Sequence, residues 1–145
     1  MALEKNKISN SVRALWMVLI TSLAAPFFVG LIVVALQFMR PASDFLLPPR
    51  PGEAIGDVGI DAFVWGALPA TVAALGLTPF VLQHGTYTWL QAAVVGVLAF
   101  MAAVIIFPFP AGSAMPFLAF LAGLVAIGMR ALLIAGGILR AEPQN

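Results

Sequence analysis

The amino-acid sequence predicts an all-α integral membrane protein: one domain, residues 1–145, built as a bundle of four transmembrane helices with both termini cytoplasmic. Three observations predict it. First, 62% of the 145 residues are hydrophobic and 9% are charged, with a mean hydropathy of +1.06. Soluble domains carry roughly 25% charged residues, so this chain cannot cover itself with a wetted surface, and lipid is its expected partner. Second, the apolar residues fall into four stretches, each near the ~20 residues a helix needs to cross a bilayer core. Third, lysine and arginine are shared unevenly between the two ends of those stretches.

The first helix is expected at about 14–38. Basic residues ahead of an apolar run also begin a secretory signal. The run between Arg13 and Arg40 is longer than a signal core of ~7–15 residues, however, and no small-residue cleavage site closes it early. It is read as a retained span. Residues 40–61 form a proline-rich extracytoplasmic loop that carries Asp44, Arg50, Glu53, Asp57 and Asp61, and its Phe45–Pro49 portion is expected at the headgroup layer. The second helix, about 62–83, follows Asp61. The third occupies about 88–107. The fourth occupies about 113–139, with Pro116 tolerated in its first turn.

His84–Tyr87 and Pro108–Gly112 are too short for anything but tight turns, which makes helices two, three and four antiparallel neighbours. The first helix hangs on the long loop and is the freest to pack elsewhere. Pro26, Pro69 and Pro79 each remove a backbone hydrogen bond inside a span and favour a kink.

Lys5, Lys7, Arg13, Arg130 and Arg140 gather at one end, against Arg40 and Arg50 at the other. The positive-inside rule then places both termini in the cytoplasm, and the expected location is a bacterial inner (cell) membrane. Trp16, Tyr87 and Trp89 would anchor the inner interface, and Trp65 the outer one.

Residues at helical spacing mark two faces of small side chains. One is Ala92, Gly96, Ala99 and Ala103 on the third helix. The other is Ala119, Gly123, Ala126 and Arg130 on the fourth. Small residues let membrane helices approach closely, since lipid gives no hydrophobic reward for joining apolar faces. The two stripes are therefore packing faces, for each other or for a partner.

Arg130 is the charge inside this pattern. The hairpin register sets it level with Gln91, one turn inside the boundary that Trp89 marks. Two readings compete. As a snorkelling residue it reaches lipid phosphates. As a buried residue it needs a partner, and no Asp or Glu lies in the four predicted spans. The partner would then be a polar neutral such as Gln91, Thr21, Ser22, Thr78 or Gln83, a backbone carbonyl, an anionic ligand, or an acid on another subunit.

Several functions are excluded or weakened. A net charge of +1 supplies no field for nucleic acid. Without cysteine there are no disulfides or thiolate sites. His84 is the single histidine and has no ligand set around it, so neither a metal nor a cofactor is expected. No hydrolase, zinc-protease, Walker or dinucleotide motif occurs, and no catalytic residue is assigned. His84, Tyr87, Trp89, Gln91 and Arg130 make a polar, aromatic group near one interface, able to grip a quinone ring or a headgroup.

Three functions follow as expectations. The leading one is a non-catalytic accessory subunit of a larger membrane complex, joined to other subunits or to copies of itself through the small-residue faces. The second is a small homo-oligomeric transporter or channel for an anionic substrate. The third is a membrane enzyme or lipid- or quinone-binding protein that uses the His84–Arg130 region.

Overall fold

The computed structural model describes residues 8–39, 52–107 and 114–141. Its four helices are α1 (Asn10–Gln37), α2 (Ile55–His84), α3 (Trp89–Ile106) and α4 (Met115–Ala135). Each is long and apolar enough to cross a membrane, and no strand occurs among the described residues. The chain is an all-α, multi-pass integral membrane protein. Lys5, Lys7, residues 40–51 of the expected loop and residues 108–113 of the last turn lie outside the described residues.

The helix ends follow capping chemistry rather than the limits of the apolar runs. α1 starts at 10 instead of 14 because the Ser9 hydroxyl accepts from the Val12 N–H at 3.3 Å. α2 starts at 55 instead of 62, so Asp57 and Asp61 are helical and the connection is shorter than 40–61. There Asp57, in the first turn, accepts from the Ala54 N–H at 3.3 Å. α3 opens on a reciprocal cap between Thr88 and Gln91.

α4 ends at Ala135 instead of 139. Gly137 takes φ +72°, the Ile138 N–H donates to the Leu133 carbonyl and the Gly137 N–H to that of Ile134. That is a Schellman stop, which glycine makes without strain. It folds Leu139 back into the core, where it is 2% exposed.

The helices form a ring in chain order, with α1–α2, α2–α3 and α3–α4 as the extensive contacts and α4–α1 as a slight one. α1 is not the loose member that its long tether suggested, because its packing on α2 is the largest in the bundle. Glycine is the reason. A methyl added at Gly30 would stand 3.1 Å from the Gly59 carbonyl oxygen, and one at Gly66 would stand 3.3 Å from Pro26 Cα. Backbone can approach backbone there, which is how association is gained in lipid.

The tight core lies at the end that carries both termini, with Ala14, Met17, Leu77, Val81, Ala92 and Leu133 among its members. Toward the opposite end the ring is more open.

Candidate functional site

Gly96 is the closest point between the two small-residue stripes. A Cβ there would lie 2.8 Å from Ala126 Cβ and 2.9 Å from the Ala122 carbonyl oxygen. Gly123 meets the flank of the α3 stripe, at 3.2 Å from Val97 Cγ2 and 3.4 Å from the Ala93 carbonyl. Ala92, Gly96, Ala99 and Ala103 are the buried residues of α3. On α4, Gly123 is buried, while Ala119, Ala126 and Arg130 are half-buried. Gly96 and Gly123 thus pack against the neighbouring helix inside the chain.

Arg130 answers to a backbone carbonyl. Its Nε donates to the oxygen of Tyr87 at 2.5 Å, in the turn between α2 and α3. That places it near the bundle's end, at the level the hairpin register implies. Tyr87 is not the interfacial anchor expected. It is 3% exposed and belongs to the core with Ala14, Met17 and Leu139. Gly85 causes this: its φ of +72° closes α2 and turns the next residues under the bundle. Burial pushes the Tyr87 hydroxyl up to about 12, against the lowering influence of Arg130.

The other members of the expected polar group have different surroundings. The Gln91 side-chain oxygen accepts from the Thr88 N–H at 2.8 Å. His84 and Trp89 are exposed. The structure brings Tyr87 and Arg130 together, and the other three do not complete a site around them.

The more open end of the ring holds a feature the sequence did not reveal. A cavity of about 470 Å³ lies between all four helices, with walls that are mostly apolar. Its size falls in the ~300–1,000 Å³ range of small-molecule sites. Small residues facing the centre make the space, among them Ala25 on α1, Ala70 and Ala73 on α2, Gly96 on α3 and Ala122 on α4. Pro69, inside α2, lines it as well.

The cavity is graded in polarity along its length. Glu53, Asp61 and Trp65 line it near the start of α2, and no described lysine or arginine does. Met129 and Thr21 line it near the core. Thr21 is 6% exposed, and among the described residues it is the buried polar one. Its hydroxyl has no hydrogen-bond partner. The helical threonines Thr71 and Thr78 instead donate to the carbonyls four residues back, at 2.8 and 3.0 Å. A small-residue count on each helix was the one signal for this cavity, and it required knowing which faces meet.

Comparison of the chain with protein-family models, with curated proteins and with solved structures found no match in any of the three.

Proposed function

We infer that this chain is a non-catalytic membrane protein that holds a lipid-soluble molecule in the cavity between its four helices. The single observation that carries this reading is the cavity itself: about 470 Å³, with contributions from every helix and mostly apolar walls. Such walls offer dispersion contacts to an apolar guest and few hydrogen bonds to a polar one. The tight core around Met17, Val81 and Leu133 closes the cavity toward the terminal end. A guest therefore enters from the other end, or between α1 and α4, where the helices touch least.

The accessory-subunit expectation drew on small-residue faces on two helices, a span arginine without an acid in the chain, little soluble mass and the lack of a catalytic motif. Gly96, Gly123 and Arg130 find partners within the chain, so these residues no longer argue for a second protein. Transport of an anion gains no support from the cavity, whose described charged lining is acidic.

Native mass spectrometry of the chain extracted in mild detergent tests the proposal. The expected result is a bound apolar molecule on the wild type, lost from Ala122→Phe, which fills the cavity wall. A wild-type chain that carries nothing, and whose cavity residue Trp65 is not quenched by added brominated alkyl chains, would overturn it.

A further inference from the structure

The dimensions of the cavity select the shape of its guest. We propose that it binds one extended alkyl chain of about 17 carbons, with the tail toward the tight core and the polar head outside the open end. The inference rests on the binding function inferred above and deepens it.

Length comes from the two helices that line the cavity furthest. On α1 the lining runs from Thr21 to Leu36, and on α2 it runs from Val58 to Ala73. Each row covers about fifteen residue steps, or ~22 Å at ~1.5 Å per residue. The rows lie side by side, because Gly66 meets Pro26 and Gly59 meets Val34. Thr21 and Ala73 therefore mark the end next to the core residues Met17 and Leu77, and Leu36 and Val58 mark the open end. Carbon–carbon bonds of ~1.5 Å at near-tetrahedral angles advance ~1.25 Å per carbon, so about 17 carbons fill the row.

Width comes from the volume. About 470 Å³ spread over ~22 Å leaves a mean section of about 20 Å². One alkyl chain has about that section, given carbon contacts at ~4 Å, whereas a fused ring system or a pair of chains needs roughly twice as much. Between the two ends the wall includes Ala25, Val29 and Val33 on α1, Ala70 on α2, and Leu121 and Val125 on α4. Their side chains offer dispersion contacts alone.

Filling sets the affinity. An alkyl chain that leaves lipid exchanges one apolar setting for another, so its burial brings no hydrophobic gain. Contact with the wall is what remains. A chain that is too short leaves a void, and the lining of a void forfeits its dispersion attraction. A chain that is too long gains nothing from carbons that stay outside. Such a chain belongs to a single-chain lipid, or it is one tail of a phospholipid that enters sideways between α1 and α4, where the helices touch least.

The test uses the full chain in decyl maltoside micelles, whose tails of about ten carbons are too short to compete well. Trp16→Phe and Trp89→Phe leave Trp65, near the middle of the α2 row, as the fluorophore. The reporter is a lysophosphatidylcholine with a mid-chain-brominated tail of about 16 carbons, displaced by unbrominated tails of about 10 to 20 carbons. The same chain carrying Ala122→Phe or Ala70→Phe corrects for quenching from the micelle. Displacement is expected to strengthen ~2–5-fold with each added pair of carbons up to about 17, and to level off beyond. Cholesterol is expected to displace at least ~10-fold more weakly than the tail of matching length.

Native mass spectrometry of the unmodified chain, incubated with an equimolar mixture of the same tails, reads the preference without the tryptophan variants. It is expected to retain a single adduct of about 16 to 18 carbons. A mid-chain-brominated phosphatidylcholine separates the sources. Quenching equal to that of the reporter assigns a phospholipid tail, and quenching by the single-chain reporter alone assigns a single-chain lipid; both uphold the extended chain. Displacement independent of tail length, or stronger for cholesterol than for any tail, overturns the alkyl assignment and leaves the apolar cavity function standing. No saturable quenching and no retained adduct overturn both.

Discussion

Arg13 Nη1 donates to the carbonyl of Ile138 at 2.5 Å, 125 residues further along the chain. The same nitrogen lies 3.3 Å from the Gly137 carbonyl, and Nε donates to Ile8 at 3.2 Å. A cation at the end of a helix meets carbonyls that have no intrahelical partner, along with the negative end of the helix dipole. This tie joins the first turn of α1 to the stop of α4, the two helices whose packing is slight. It closes the ring at the terminal end while the cavity end stays open.

Replacing Arg13 should loosen that closure. Arg13→Met leaves two carbonyls without a charged donor, and hydrogen bonds to charged groups are worth about 1.5–3 kcal/mol. The expected outcome is a lowered midpoint of thermal unfolding in detergent, with a smaller loss for Arg13→Lys, which keeps the charge but not the fork. A midpoint unchanged in both variants would show that the tie carries no stability.

Two glycines separate close packing from lipid exposure. A Cβ at Gly96 meets Ala126 and the Ala122 carbonyl below 3.0 Å, whereas one at Gly128 has nothing within 4 Å. Gly96→Ala is expected to force α3 and α4 apart at a cost of about 1–3 kcal/mol. Gly128→Ala is expected to be neutral, or stabilising by up to ~1 kcal/mol through helix propensity. Paired denaturation curves check the contrast, and equal effects would refute the assigned α3–α4 contact.

Tyr87 is the chain's single tyrosine, so an ultraviolet titration of tyrosinate reports on it directly. The expected midpoint is near 12 rather than 10. In the unfolded chain the phenol ionises near 10. The stabilisation from its neutral, buried form is therefore complete below pH 10 and is lost as pH rises through 12. The amount is on the order of 3 kcal/mol. In Arg130→Met the lowering influence of the guanidinium is gone, and the midpoint moves higher still. A midpoint at 10 in the folded wild type would mean that Tyr87 is not buried.

Local chemistry explains what could be read along the chain. The register of Arg130 was legible because a short turn sets the level of one helix against the next. The closeness of Gly96 to α4 was legible because Gly and Ala recur at helical spacing on both sides of that turn. The packing of α1 on α2 left a fainter trace: Gly59 and Gly66, which meet Val34 and Pro26, lie seven residues apart on one helical face. Tyr87 was misplaced because the direction of its ring depends on the left-handed backbone of Gly85. Composition cannot distinguish that conformation from any other polar turn.

The sequence by itself determined the solvent and the number of spans, because hydropathy and length are properties of neighbouring residues, whereas the helix ends fall at caps that the limits of the apolar runs do not mark. The tertiary structure alone decided that α1 closes on α2, that Gly96 and Gly123 pack against the neighbouring helix, and that Ala25, Ala73, Gly96 and Ala122 enclose one space. A cavity is what four faces leave unfilled when they meet. Its volume, its acidic end and the unpartnered Thr21 on its wall therefore belong to no single segment and exist once the ring has formed.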